Sequence, residues 1–170
     1  LPIGHSFIRE WKVIGPFPGR RGEGYTTQYP PELNIELTET YGGDDLERRW
    51  ETYAAEDGWV DFRAALPQSE RGGVGYAYVS IFSPRDQQVK WHFSASGDTK
   101  LFLNYKEIFA RRHLHQTKPG GRVLEQSLMQ GWNHLVVKIN EQDGPWGFYF
   151  EITDMEGKPI PGLRYALDQA

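Results

Sequence analysis

Apolar and polar residues alternate with a period of two along much of the chain. The alternation is clearest in two segments, where one parity is occupied by Val89, Trp91 and Phe93 and by Phe148, Phe150 and Ile152. Gly, Pro, Asn, Asp and Ser interrupt such segments about every 8–15 residues, as expected for strands joined by turns. The pattern predicts an all-β sandwich or barrel.

The segment 43–55 is the one stretch that also fits a helix. Asp44 is of a residue type that caps helices, and Trp50 and Tyr53 lie three residues apart, as on one face of a short helix. The same residues fit a strand. The pattern therefore leaves helix and strand both open for this segment.

Composition and charge indicate a single domain over residues 1–170. A chain of 170 residues can bury a hydrophobic core, and its aromatic share of 14% suits half-buried pleated surfaces. The net charge of −4 provides no basic field for nucleic acid. No apolar run approaches the roughly 20 residues that span a bilayer, and the chain has no cysteines for disulfides or Cys-based metal sites. We expect neither nucleic acid nor a membrane as a partner.

A series of short motifs between about residues 11 and 160 resembles a known family. The series reads "WKVIGPF", "YPPE", "RRWET", "DGWVDF", "GYAYVSIFSP", "SGDTKLFLN", "GWNHLVVKIN" and "WGFYFEITDMEGKPI". In this order the motifs are similar to those of the galactose-binding-domain-like jelly-roll sandwiches attached to secreted bacterial enzymes, many of them glycoside hydrolases. The chain departs from that pattern where Asp98 follows Ser and Gly instead of pairing with an acid, and where Tyr105 replaces the usual glycine after Asn104.

The resemblance implies an all-β, jelly-roll β-sandwich that forms one module of a larger multidomain protein. It further implies a secreted or periplasmic location, with neighbouring domains of the parent protein as partners. Members of this superfold include sugar binders, calcium-stabilised modules and structural spacers, so the resemblance bears on fold more than on function.

No catalytic motif is present. The sequence lacks G-x-S-x-G, H-E-x-x-H, the phosphate-binding G-x-x-x-x-G-K-[ST] and a strand–helix G-x-G-x-x-G. We therefore expect the module itself not to be an enzyme and to carry no catalytic residue and no cofactor, although its parent chain can be an enzyme such as a glycoside hydrolase.

Sugar binding would require exposed aromatic rings, because the C–H face of a pyranose packs on an indole or phenol. Three tryptophans are expected to be buried: Trp11 and Trp91, which share a strand face with apolar residues, and Trp132, which opens an apolar strand. The resemblance implies a core-like position for Trp50 as well. The remaining aromatic candidates are Trp59, Trp146, Tyr76 and Tyr78, with Asp61 and Arg63 as possible polar partners. Each ring alone is also explained by core packing, but the set is the best candidate carbohydrate site.

Ion sites have weaker support in the sequence. His113 and His115 would share one side of an extended strand, but the surrounding "RRHLHQTKPGGR" is basic, which favours an anionic contact or plain surface over a metal. A structural calcium ion is the other possibility, with oxygen ligands from Asp44, Asp45, Glu47 or Asp98. No recognisable calcium loop is formed, so we predict no metal site.

The stretch "GDTKLFLNYKEIF" predicts a hairpin with its turn at Asn104–Tyr105. Asn tolerates a positive φ but Tyr does not do so readily, so we expect a turn type different from the Asn-Gly form. The hairpin is predicted to be structural.

These observations favour a non-catalytic carbohydrate-binding accessory module of a secreted bacterial glycoside-active enzyme. The alternative is a structural or protein-interaction β-sandwich that packs against neighbouring domains and binds no sugar. Exposed rings among hydroxyl-binding polar groups would favour the first function, and a broad apolar patch would favour the second.

Overall fold

Antiparallel strands make up most of the computed structural model, which describes residues 6–42 and 46–169. The strands are β1 (Glu10–Phe17), β2 (Thr40–Tyr41), β3 (Arg48–Arg49), β4 (Glu51–Ala54), β5 (Val60–Asp61), β6 (Gly73–Ser83), β7 (Gln87–Leu103), β8 (Lys106–His115), β9 (Arg122–Leu128), β10 (Gly131–Glu141), β11 (Gly147–Thr153) and β12 (Arg164–Ala166). Two short α-helices, α1 (Glu23–Thr26) and α2 (Phe62–Ala65), are accompanied by 3₁₀ turns at Arg20–Gly22, Pro30–Glu32 and Ser69–Arg71. None of the helices in the described residues is both long enough and apolar enough to cross a membrane.

The long strand β7 connects two layers of a β-sandwich. Its first half lies between β9 and β11, and β11 pairs in turn with β5. Its second half lies between β8 and β10, and that layer continues through β6 and β1 to β4. We call these the β11 layer and the β6 layer. The all-β sandwich predicted from the alternation is thus confirmed.

The core lies between the two layers. Trp11 of β1 packs edge-on against Phe148 of β11, with their ring centroids 4.9 Å apart. Trp91 is fully buried on β7 and meets Phe150 at 5.2 Å. Leu101 belongs to the same cluster. The two-residue alternation therefore assigned the inward parity correctly.

A second hydrophobic cluster lies on the opposite face of the β6 layer. Its sheet residues include Tyr76, Tyr78, Phe102 and Val136, and they are covered by part of the chain between residues 18 and 50. We call this part the cover. The β6 layer is therefore buried on both faces where the cover lies.

Lys138 anchors the cover to the sheet. Its ammonium group donates hydrogen bonds to the carbonyls of Tyr25 (3.3 Å) and Thr27 (2.7 Å) and to Oε2 of Glu32 (2.6 Å). The Tyr76 hydroxyl donates to the same carboxylate oxygen. Lys138 is 1% exposed, so the charge is stable there only because its three donors are all used. Burial lowers the pKa of Lys138, and the Glu32 carboxylate opposes that shift.

The open prediction for segment 43–55 resolves to strand where the structure describes it. Residues 48–49 form β3 and residues 51–54 form β4, which pairs with β1. Trp50 between them is buried in the cluster under the cover. Asp44, the suggested helix cap, lies outside the described residues.

The expectation for the hairpin turn is wrong. Asn104 (φ 52°) and Tyr105 (φ 67°) both have positive φ, which is the conformation of the Asn-Gly type of turn. The Asn104 side chain fixes it by accepting a hydrogen bond from the backbone N–H of His134 (2.8 Å) and donating one to Oδ1 of Asn133 (3.2 Å). These long-range bonds outweigh the local strain of the tyrosine.

Candidate functional site

Trp146 does not offer a ring to a ligand. It is 1% exposed and packs against Phe62, with ring centroids 5.4 Å apart. Its indole N–H donates to the carbonyl of Ile139 (3.0 Å), which satisfies the polar atom inside the core. The prediction that Trp146 contributes an exposed ring is therefore wrong, because its parity with Phe148 places it in the core.

Tyr76 and Tyr78 also lack exposed rings. Both are completely buried, since the sheet face that carries them lies beneath the cover. Burial, together with the carboxylate of Glu32, raises the pKa of Tyr76, and burial raises that of Tyr78 to about 12. The sequence located an aromatic sheet face correctly, but it is an internal face.

Asp61 and Arg63 have structural partners of their own. Oδ1 of Asp61 accepts the backbone N–H of Arg63 (3.0 Å) and so caps α2. The Arg63 guanidinium donates to the carbonyls of three loop residues, Ser69, Gln142 and Gly144, at 2.8–3.1 Å. These bonds use four of its five N–H donors, so Arg63 has a structural role rather than that of the expected sugar partner.

Among the four predicted aromatic site residues, Trp59 is the one that remains partly exposed. Val60 and Phe62 are fully buried, which confirms the inward parity from which the outward direction of Trp59 was inferred. The indole lies against Gly147 of β11, where a Cβ would come within 2.8 Å of Trp59 Cζ2. A glycine at 147 is therefore what allows the indole to lie close to the sheet, half-buried.

Two further rings extend this surface. Tyr149 lies beside Trp59, with ring centroids 5.1 Å apart, and Phe7 stacks on Tyr149 at 5.0 Å. All three side chains are half-buried. Phe7 packs even more closely on Gly58, where a Cβ would come within 2.3 Å of Phe7 Cδ2. We call Phe7, Tyr149 and Trp59 the ring row.

Polar groups border the ring row. Asp57 is exposed and accepts the backbone N–H of Trp59 through Oδ1 (3.0 Å). Burial and the charge of Asp57 raise the pKa of the Tyr149 hydroxyl, so this hydroxyl stays protonated as a donor. The guanidinium of Arg9 lies 6.0 Å from the centre of the Phe7 ring. The row thus combines apolar ring surface with a carboxylate, a phenol and a guanidinium.

Sequence analysis missed two of the three rings. The alternation in β11 already gives Tyr149 the parity opposite to the buried Phe148 and Phe150, so this residue could have been found. Phe7 reaches the row through an isolated bridge to Glu151, 144 positions later in the chain. No local pattern signals such a pairing.

The candidate ion ligands that lie in the described part of the chain do not form a metal site. Asp44 and Asp45 lie outside the described residues, and Glu47 is exposed and pairs with Arg49 at 2.8 Å. Asp98 accepts the backbone N–H of His113 (2.8 Å). Within residues 6–42 and 46–169, no group of three or more His, Cys, Asp or Glu side chains could hold a metal ion.

Comparison with known proteins gives a structural likeness only. No protein-family model and no curated protein matches the sequence. The chain is similar to a solved β-glucosidase from Kluyveromyces marxianus, with 14% identity and a TM-score of 0.51 over 94% of this chain and 20% of that one. It is also similar to a β-glucuronidase from an uncultured Clostridium sp., with 11% identity and a TM-score of 0.50 over 85% of this chain and 28% of that one. The chain therefore spans less than a third of either enzyme and shares with that part its β-sandwich fold.

Proposed function

We propose that this chain is a non-catalytic, carbohydrate-binding accessory module of a larger, secreted or periplasmic protein, and that the ring row is its binding surface. The observation that carries the proposal is the set of three half-buried rings bordered by Asp57, Arg9 and the Tyr149 hydroxyl. A pyranose can place its C–H face on the indole of Trp59 while its hydroxyls exchange hydrogen bonds with those polar groups.

The fold of the neighbours supports this proposal by analogy. The matching parts of the two similar structures are minor segments of enzymes named for glycoside substrates. A module of that architecture in a longer glycoside-active chain would hold the parent enzyme at its polysaccharide substrate. The neighbouring domains of the parent would be its contact partners.

The ring row is suited to binding rather than to hydrolysis. Most glycoside hydrolases place two carboxyl groups on opposite sides of the scissile bond. Asp57 borders the row and lies exposed, with one oxygen bonded to a backbone N–H. Glu151, which pairs with Phe7, is buried and accepts the backbone N–H of Ser6 (3.0 Å). We therefore expect no turnover of glycosides by the module alone.

Binding should be modest in strength. Each hydrogen bond to a sugar replaces one to water and yields only about 1 kcal/mol net, so Kd should lie at about 10 µM to 1 mM. Calorimetric titration of the module with separate gluco-, xylo- and galacto-oligosaccharides measures it. Trp59→Ala should weaken the binding about tenfold or more, because it removes the stacking surface.

Trp132→Ala is the matched control. Trp132 is also half-buried and also packs beside another ring, Phe82 at 5.4 Å, but it lies on β10 in the β6 layer. The Trp132→Ala variant should bind the oligosaccharide with the same Kd as the wild type. If none of the oligosaccharides gives a heat of binding, or if both variants weaken binding equally, the proposal is contradicted and the structural-module alternative is favoured.

A further inference from the structure

A polar pocket lies apart from the ring row, where β7, β8 and β10 meet. Its volume is about 380 Å³. Its lining residues are Arg21, Gly22, Asp98, Arg112, His113, His115, Asn140, Glu141 and Gln142. We call it the bulge pocket. None of its residues belongs to the ring row.

The pocket is built by a β-bulge. Asp98 of β7 stands opposite both Arg112 and His113 of β8, between the regular pairs of Gly97 with Leu114 and Thr99 with Arg111. His113 takes a left-handed φ of 59°, and its backbone N–H donates to Asp98 Oδ1 (2.8 Å). The bulge interrupts the alternation of β8, so the adjacent side chains of Arg112 and His113 both line the pocket.

Two guanidinium groups in the pocket have unused donors. Only Nη1 of Arg112 has partners among the described residues, namely Gly22 O (3.3 Å) and Asp98 Oδ2 (3.4 Å). Its guanidinium is held in place by the Tyr25 ring, at 4.2 Å from the ring centre. Arg21 forms no hydrogen bond or ion pair within the described part of the chain. Its φ of 54° is unusual for a residue other than glycine.

The two carboxylates of the pocket, Asp98 and Glu141, already accept hydrogen bonds from the protein. Asp98 is 8% exposed; its Oδ1 accepts the backbone N–H of His113, and its Oδ2 forms an ion pair with Arg112. Oε1 of Glu141 accepts the backbone N–H groups of Gln142 (3.0 Å) and Gly144 (3.3 Å). The unused groups are therefore mainly donors, with the second oxygen of Glu141 left to accept from a hydroxyl.

We propose that the bulge pocket binds an oxyanion, a carboxylate or sulfate, carried by a hydroxylated small ligand. Guanidinium groups bind such anions in a bidentate fork, and the stacking of Arg112 on Tyr25 fixes its orientation in advance. His113 and His115 add ring nitrogens at the rim, and Glu141 accepts from a ligand hydroxyl. This site goes beyond the proposed function, because it needs no contribution from Trp59.

The test compares a charged sugar with its neutral parent. Titrations of ¹⁵N-labelled module with glucuronate, glucose 6-sulfate and glucose, at constant ionic strength, are followed through the backbone amide resonances of the pocket residues. We expect saturable shifts at Asp98, His113 and Glu141 with at least one of the two acids, and none with glucose. Binding of glucuronate would identify the anion as a carboxylate, and binding of glucose 6-sulfate would identify it as a sulfate. Unchanged spectra with both acids, or equal shifts with glucose, would overturn the proposal.

Arg21→Gln and Arg20→Gln form the matched pair of variants. They remove the same charge from adjacent residues, but Arg20 lines a different depression of the surface. Because Arg21 has no partner among the described residues that its loss would disturb, Arg21→Gln should weaken binding of the acid at least fivefold with the fold unchanged. Arg20→Gln should stay within twofold of the wild type. If the two variants weaken binding equally, the binding is nonspecific charge attraction and the proposal is overturned.

The ring row and the bulge pocket can fail independently. Trp59→Ala should leave the binding of the acid unchanged, and Arg21→Gln should leave the binding of neutral oligosaccharides unchanged. Loss of acid binding in Trp59→Ala would show that the two surfaces form one site and would contradict the separate pocket.

Discussion

Lys138 is a buried charge that attaches the cover to the β6 layer. The fully buried ammonium joins β10 to the cover through two carbonyls and the Glu32 carboxylate. Lys138→Met should lower the free energy of unfolding by about 3–5 kcal/mol, because Glu32 would be left buried without its counter-charge and the two carbonyls without their donor. Urea unfolding measures the change.

Lys100→Met provides the control. Lys100 lies directly opposite Lys138 on β7, and its ion pair with Glu107 (3.0 Å) is open to solvent on the Glu107 side. Because partly exposed pairs contribute little, this variant should lose about 1 kcal/mol or less. Equal losses at the two positions would show that the buried network does not stabilise the cover.

Residue burial could be predicted from the sequence only where parity decides it. Trp91 and Phe150 lie in the core, as their alternation required. Tyr76 and Tyr78 lie on the face of β6 opposite to Ala77 and Val79, which point into the core. The sequence does not tell whether solvent or another part of the chain lies above that face. The cover, about 25–60 positions earlier in the chain, buries both tyrosines, and such long-range packing leaves no periodic trace.

In the β7–β8 hairpin, the turn requires a backbone conformation that is unfavourable for tyrosine. Tyr105 holds a left-handed φ of 67° in the turn and its side chain is 42% exposed. Tyr105→Gly should raise the free energy of unfolding by about 0.5–1 kcal/mol, because relief of the left-handed strain exceeds the chain entropy that glycine loses. Thermal unfolding with calorimetry measures the gain.

Asn104→Ala tests the same turn in the opposite direction. It should destabilise the protein, because the His134 backbone N–H loses its acceptor and alanine is strained at φ 52°. A loss of stability in Tyr105→Gly would instead show that the ring contact of Tyr105 with His134, at 6.0 Å, outweighs the strain.

The long strands were the most predictable elements, and the irregular ones were the least. Alternation located β7 and β11 and gave the sandwich its fold class. It could not locate the bulge at Asp98, because a bulge depends on how two strands register against each other. The bulge pocket therefore had no signal beyond the basic character of the 111–115 stretch.

At the scale of the whole molecule, the two layers differ in how they are covered. The cover lies over the outer face of the β6 layer and is anchored by Lys138, whereas the β11 layer carries the ring row on its outer face. Half-buried rings on the outer face of a sheet form a surface on which a flat sugar can lie. The asymmetry places the proposed carbohydrate surface on the β11 layer.

The indole resonances of the protein test the ring row most directly. In ¹H–¹⁵N spectra, each tryptophan contributes one side-chain N–H signal, and those of Trp11 and Trp146 are bonded to carbonyls inside the core. On titration with the oligosaccharide that gives the strongest calorimetric signal, the Trp59 indole and the Tyr149 amide should shift saturably, while the Trp11 and Trp146 indoles stay fixed. A saturable shift confined to other residues, with Trp59 unmoved, would contradict the account.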